Sequence, residues 1–233
     1  MINNISADKL EQSLKRLQEA IGNRILVIDG AMGTMLQRYK LGEKEYRGPR
    51  FADFHRDLKG NNDLLAITQA QYVEEVHRAY LEAGADIIET NSFNATSISQ
   101  EDYDMAFLVY ELNYAAAQCA RKAVDHYNEL TPDKPRFVAG AIGPTNKTTS
   151  LSPDVNNPGY RATSFDELAE AYFEQAKALA EGGVDMFLIE TVFDTLNCKA
   201  ALFAVDKYCE EVGIKYPVMV SGTITDAIGR TLS

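Results

Sequence analysis

Four acidic or amide side chains in this sequence stand directly after short apolar runs or a few residues beyond them. They are Asp29, Asn91, Glu190 and Asp194. Carboxylates that converge in a partly desolvated site repel one another and need a cation, either a metal ion or the ammonium group of a substrate. The turn at Gly30 and Ala31 adds backbone N–H groups for an anion, because glycine lets the backbone approach a ligand closely. These residue types predict a site for a hard metal ion or for an amino acid.

A structural interpretation of the same residues is also open. Asp29 or Glu190 could cap a neighbouring turn or pair with an arginine, and a glycine after a strand is needed simply to turn the chain. The three histidines are scattered along the sequence and none stands at the end of an apolar run, which argues against a histidine-rich metal site.

The apolar runs that precede these residues predict parallel strands. Five such runs occur, at 27–30, 87–91, 138–141, 188–191 and 218–222. The first four are each followed by a helical pattern, which is the order of repeated βα units, and near-continuous apolar strands are typical of a parallel sheet covered on both faces. In such folds the binding residues lie where strands run into loops.

Capping residues and composition predict the helices and loops. A helix over about 8–21 precedes the first strand and is expected to close the bottom of a barrel. The pairs Thr68 with Gln71 and Ser164 with Glu167 have capping-box spacing and predict two helix starts. The residues from 31 to 54 are predicted to be mainly loop, and 143–163 is predicted to be a long functional loop.

Repeated βα units fit either a (β/α)8 barrel or a doubly wound sheet. No G-x-G-x-x-G or G-x-x-x-x-G-K-[ST] string occurs after any of the runs, which favours the barrel. Because a closed barrel needs about 250 residues, we expect the chain to cover about the first five βα units, with the C-terminal strands missing. The predicted organisation is an N-terminal helix in 1–24 and a partial barrel in 25–233.

Composition argues against several classes of partner. The 23 Lys and Arg residues against 34 Asp and Glu give a net charge of −11, which disfavours nucleic acid and anionic membranes. No run approaches the roughly 18 apolar residues of a membrane span, and no signal peptide is evident, so the chain is predicted to be cytoplasmic. Cys119, Cys198 and Cys209 lie inside helical patterns without C-x-x-C spacing and are predicted to be buried thiols.

Five strings in the sequence resemble one known family. They are IDGAMGT at 28–34, ETNSF at 89–93, GPTN at 143–146, LIETVFDTLN at 188–197 and SGTITD at 221–226. Together they resemble the homocysteine-binding (homocysteine S-methyltransferase) domain of cobalamin-dependent methionine synthases. The loop SPDVNNP at 152–158 is similar to methionine synthases rather than to their betaine-dependent relatives.

This resemblance implies a TIM (β/α)8 barrel that binds homocysteine. It implies that Asp29 and Glu190 bind the ammonium group of the substrate, that the N–H groups of Gly30 and Ala31 bind its carboxylate, and that Asn91 lies near a metal. In the family the homocysteine thiolate is held on zinc, which lowers the pKa of the thiol.

The cofactors implied by the resemblance are zinc and methylcobalamin. The zinc-ligating cysteines of the family follow strands six and eight, which would lie beyond Ser233. We therefore expect no catalytic residue, no metal ligand and no bound cofactor in this chain itself, and we expect the isolated chain to be inactive.

The resemblance also implies a larger parent protein. In it, folate- and cobalamin-binding modules would regenerate methylcobalamin from 5-methyltetrahydrofolate, and the methyl group would pass to homocysteine to give methionine. Two alternatives remain open. One is a cobalamin-independent homocysteine methyltransferase that uses a betaine or sulfonium donor, and the other is a catalytically silent half-barrel.

Overall fold

The computed structural model describes residues 7–224, 226, 227 and 229, so that Thr225 of the fifth string and Ser233 lie outside the described part. The strands are β1 (Ile87–Glu89), β2 (Phe137–Ile142), β3 (Met186–Val192) and β4 (Val218–Gly222). The α-helices are α1 (Ala7–Asn23), α2 (Met32–Leu36), α3 (Glu43–Arg47), α4 (Leu65–Thr68), α5 (Ala70–Glu82), α6 (Ser97–Gln100), α7 (Val109–Leu130), α8 (Phe165–Gly182) and α9 (Thr195–Val212). Short 3₁₀ helices cover Gln37–Tyr39, Asn62–Leu64, Glu101–Tyr103 and Ala106–Leu108.

The four strands form one parallel sheet in the order β1-β2-β3-β4. The segment 27–29 lies beside β1, because Ile28 forms a parallel bridge with Ile87 and the Asp29 N–H donates to the Ile87 carbonyl at 2.9 Å. The spatial order therefore follows the chain order without the reversal that defines a doubly wound sheet. An α/β fold with a parallel sheet is confirmed, and its order is the one that a barrel requires.

The prediction of a full first strand over 27–30 is wrong, since this segment contributes only one bridge. It has β1 on one side, and no other described strand pairs with its second side. Ile25 is 89% exposed and Val27 is 56% exposed, so this edge gains little from burial. The bridge at Ile28 is followed within four residues by the start of α2 at Met32, and the neighbouring β1 has only three residues, which limits the length of the ladder.

Helix α1 closes the bottom of the sheet, as predicted. Its residues Leu17 and Ala20 are buried in one cluster with Ile87, Phe137 and Met186, which are the first residues of β1, β2 and β3. Because Leu14 and Leu17 lie on the same face of the helix, α1 can present an apolar stripe to the ends of three strands at once.

Side chains along the strands alternate between two buried layers. Ile87 and Leu188 belong to the inner layer beneath which α1 packs, whereas Ile88, Val138 and Ile189 pack in the layer that faces the helices. This alternation is the period of two expected for a strand covered on both faces. It fixes which residues at the upper ends of the strands point to the inside.

Two local predictions about helices need correction. The stretch from 31 to 54 is about half helical rather than mainly loop, because it contains α2, α3 and the 3₁₀ helix Gln37–Tyr39; none of them exceeds five residues, which is too short for a visible apolar period. Thr68 does not cap α5: it is the last residue of α4, and its hydroxyl donates to the Leu64 carbonyl at 3.3 Å. The Ser164 and Glu167 capping box of α8 is confirmed.

Candidate functional site

Three carboxylates come together at the upper, C-terminal ends of the strands. Glu89 and Glu190 continue the inward-facing alternation of Ile87 and Leu188, and both are half-buried. The half-buried Asp29 is tied to this group because its Oδ1 accepts a hydrogen bond from the Glu89 N–H at 3.0 Å. The predicted site residues Asp29 and Glu190 thus share one rim of the sheet.

Glu89 is a member of this group that the predicted site omits. The signal for it is present in the sequence, since Glu89 stands two positions after the inward-facing Ile87 on the same strand. Without the burial of Ile87 that spacing does not say which of Glu89 and Thr90 faces inwards. The sequence alone therefore could not choose between them.

The three carboxyl groups all have raised pKa values. Burial, with a further contribution from the charge of Glu89, raises the pKa of Asp29 to about 8. Burial and the charge of Glu89 raise the pKa of Glu190 to about 7, and burial also raises the pKa of Glu89. Among the described basic residues, none forms an ion pair with Asp29, Glu89 or Glu190. A ligand that brings a positive charge would be favoured here.

The turn after Asp29 supplies the backbone donors that the sequence predicts. Gly30 and Ala31 are exposed, and their N–H groups donate to no protein acceptor in the described part of the chain. The turn is packed against Tyr80, whose hydroxyl lies 3.4 Å from where a Cβ on Gly30 would stand and donates to the Ala31 carbonyl at 3.5 Å. Tyr80 therefore packs directly against this turn.

Asn91 is fixed just beyond the end of β1. It is buried, and its Nδ2 donates to the Asn62 carbonyl at 2.7 Å, while no described donor is paired with its Oδ1. The flanking residues pin the same end of the strand to β2: Thr90 Oγ1 accepts from the Ala141 N–H at 2.9 Å, and Ser92 Oγ donates to the Ala141 carbonyl at 2.8 Å.

Asp194 has a structural role and does not join the three carboxylates. Its side chain accepts hydrogen bonds from the N–H groups of Leu196 and Asn197 at the start of α9, and from the N–H groups of Thr149 and Ser150 in the 143–163 loop. Although burial acts in the opposite direction, these bonds hold the pKa of Asp194 below its usual value. The residue joins the loop to the helix.

The described residues do not fit a zinc site. No group of three or more His, Cys, Asp or Glu side chains among them is arranged to hold a metal ion. Cys119 lies on α7, where burial raises the pKa of its thiol to about 12, and Cys198 and Cys209 lie on α9. None of these thiols lies at the end of a strand, and a metal ligand must be a thiolate.

A family model described as homocysteine S-methyltransferase matches residues 26–233. The chain belongs to the homocysteine S-methyltransferase family. This membership confirms the prediction of a homocysteine S-methyltransferase domain. The matched residues contain β1 to β4, the carboxylate rim and the long loop that Asp194 holds.

The fold of this homocysteine S-methyltransferase chain is similar to that of the homocysteine methyltransferase MmuM from Escherichia coli, at 21% sequence identity. For the oxidized form the TM-score is 0.67, with 93% of this chain and 70% of MmuM covered. The corresponding values are 0.66, 94% and 71% for the metallated form, and 0.63, 93% and 68% for the apo form. The similarity supports the TIM-barrel class of the fold. No described helix is long and apolar enough to cross a membrane.

Proposed function

We propose that this chain is the homocysteine-binding part of a cobalamin-dependent methionine synthase. In the complete reaction the methyl group of methylcobalamin, regenerated from 5-methyltetrahydrofolate, is transferred to the sulfur of homocysteine to give methionine. The proposal rests on the rim itself. Among the described residues, the half-buried carboxyl groups of Asp29 and Glu190 have no basic partner, and the nearby N–H groups of Gly30 and Ala31 have no acceptor.

Each end of the amino acid has a complementary group on this rim. The substrate ammonium would lie between Asp29 and Glu190, where it offsets their repulsion and forms charge-assisted hydrogen bonds. The substrate carboxylate would accept from the N–H groups of Gly30 and Ala31. The Oδ1 of Asn91 would face the thiol end of the ligand.

A metal ion in place of the ammonium is less well supported. Asp29, Glu89 and Glu190 do not form a group that could hold a metal among the described residues. One oxygen of Asp29 is already used by the Glu89 N–H, and the neighbouring N–H groups suit an anion, which a hard metal site does not need. An amino acid uses both features.

Zinc and methylcobalamin belong to the proposed function of the parent protein. Support for a metal comes from the sequence resemblance and from a structural relative that has been solved in a metallated form. Since the described residues offer no zinc ligands, the ligands would be cysteines outside residues 1–233. The roles assigned above to Asp29, Glu190 and the Gly30 turn do not depend on the metal.

The test of substrate binding is calorimetric titration of L-homocysteine into the chain and into Glu190→Gln and Asp29→Asn. Each variant is expected to weaken binding by roughly 1.5 to 3 kcal/mol, because a charge-assisted hydrogen bond is lost. The matched control is Glu174→Gln, which removes a half-buried carboxylate from α8 and should leave binding unchanged. Unchanged binding in both rim variants would contradict the proposal.

The methyl donor is tested on the parent protein. The coding sequence downstream of the Ser233 codon is expected to encode folate- and cobalamin-binding modules, and the parent is expected to methylate homocysteine with methylcobalamin. Methylation with a betaine or sulfonium compound in place of methylcobalamin would favour the cobalamin-independent alternative. No methylation of homocysteine with any of these donors would favour a silent half-barrel.

A further inference from the structure

Strand β3 carries one more residue than its neighbour directly beside the carboxylate rim. Ile189 pairs with Val220, and the next aligned pair is Val192 with Gly222. The chain therefore advances three residues on β3 and two on β4 between the same two rungs. This is a β-bulge, and bulges next to binding sites commonly redirect a side chain.

The extra residue changes the face of the sheet to which the later residues of β3 point. Phe187, Ile189 and Val192 all pack in the helix-facing layer, although strict alternation would bring residue 191 to that face. Because of the extra residue, Glu190 keeps the inward orientation of Leu188 while Val192 is buried against the helices. In a regular strand Glu190 and Val192 would point to the same face.

Thr191 occupies the left-handed position of this bulge, with φ of 56°. Glycine is the usual residue there, and a β-branched side chain at positive φ is strained. The strand is held on both sides of Thr191, by the Ile189 rung with Val220 and by the Thr223 N–H, which donates to the Val192 carbonyl at 2.8 Å. A stiff residue held at both ends has few ways to move.

We propose that Thr191 is a positioning residue: its constrained left-handed conformation holds Glu190 in the orientation that binds the ammonium group of homocysteine. This inference rests on the proposed function for its ligand. In this account the strain is tolerated because it restricts the orientation of the preceding carboxylate, which is a common reason for strained backbone at binding sites. Glycine would relieve the strain and free the orientation.

The test replaces Thr191 with glycine and measures stability and binding together. Thr191→Gly is expected to keep or raise the thermal unfolding midpoint, yet to weaken L-homocysteine binding by about tenfold, equivalent to about 1.4 kcal/mol. Binding of 4-mercaptobutyrate, which lacks the amino group, should not change. The matched control is Lys40→Gly, at another left-handed residue that is exposed; it should not alter either binding constant.

Two further measurements separate this inference from the proposed function. In the Glu190→Gln background, Thr191→Gly should have no additional effect on homocysteine binding, because it acts through Glu190. Carboxyl ¹³C NMR needs no ligand, and the titration midpoint of Glu190 should shift in Thr191→Gly and return in Thr191→Asn, since asparagine tolerates positive φ.

An unchanged Glu190 titration, or equal losses for both ligands in Thr191→Gly, would overturn the positioning role. The positioning role would also be overturned if Thr191→Gly weakened homocysteine binding as much in the Glu190→Gln variant as in the unmodified chain. Failure of the unmodified chain to bind homocysteine, with the Glu190 titration shifted as expected, would instead overturn the proposed function.

Discussion

Three carboxyl groups at the strand ends, those of Asp29, Glu89 and Glu190, are half-buried near one another without an ion-pair partner among the described basic residues, and burial raises the pKa of each. At the scale of the residue this arrangement destabilises the empty chain and favours a cationic ligand. Carboxyl groups with such perturbed pKa values are common at binding sites. Asp29 and Glu190 were predicted from their positions after apolar runs. Their mutual approach follows from the parallel order of the strands, which the sequence also predicts.

Stability of the empty chain should depend on pH through these groups. Their pKa values in the folded chain are raised above the ordinary values near 4, to about 8 for Asp29 and about 7 for Glu190. The folded chain therefore binds more protons than the unfolded chain in this window, so their contribution to stability is present below about pH 4 and is lost as pH rises to about 8. We expect the free energy of unfolding by urea to fall from about pH 5 to about pH 8.

Glu89→Gln should reduce this fall, because the charge of Glu89 contributes to the raised pKa of both Asp29 and Glu190. The control is Glu174→Gln, whose half-buried carboxylate is not part of the rim. Saturating L-homocysteine should flatten the same profile in the unmodified chain. A profile that Glu89→Gln leaves unchanged would show that the three groups do not interact.

At the scale of the element, the loop 143–163 is held by the start of α9. Asp194 caps the helix and accepts from Thr149 and Ser150, so that one carboxylate fixes both segments. The sequence placed Asp194 among the residues that could do chemistry, because it follows β3 closely. Only the structure reveals that its oxygens are already used by backbone donors.

Asp194→Ala is expected to lower the free energy of unfolding by about 2 to 4 kcal/mol, since it removes a helix cap and leaves buried N–H groups unpaired. The loop should also become sensitive to limited proteolysis. Ser164→Ala is the matched control: it removes the cap of α8 alone, costs about 1 kcal/mol and leaves the loop protected. Equal proteolysis of the two variants would contradict the anchoring role.

Prediction of the elements succeeded where apolar patterning is strong and failed where tertiary contacts decide. The apolar runs locate β1 to β4, and the Ser164 capping box locates α8. The run at 27–30 ends just before α2 and lies beside the three-residue β1, so it forms only a bridge. The bulge at Thr191 could not be predicted, because a register shift depends on the partner strand.

At the scale of the whole molecule, the sheet has two open edges among the described residues. One is the segment that contains Ile25 and Val27, and the other is β4, where Val220 is 52% exposed. Open edges with apolar side chains pair readily with other strands. Such edges also suit a sheet that is continued by further strands, as the family fold implies.

The chain is therefore expected to self-associate as its concentration rises. Val220→Lys should shift sedimentation towards the monomer, because a charge on an edge strand opposes pairing. Val155→Lys adds the same charge to an exposed apolar residue of the loop at 143–163 and should leave self-association unchanged. If both variants changed sedimentation equally, net charge rather than the strand edge would be responsible.

The most direct test of the account is the affinity of the unmodified chain for L-homocysteine compared with 4-mercaptobutyrate, measured by isothermal titration calorimetry. The two ligands share the thiol and the carboxylate and differ only in the amino group, which the account assigns to Asp29 and Glu190. We expect homocysteine to bind at least about tenfold more tightly, as for a charge-assisted contact. Equal affinity for the two ligands, or no binding of homocysteine, would contradict the assignment of this rim as an amino acid site.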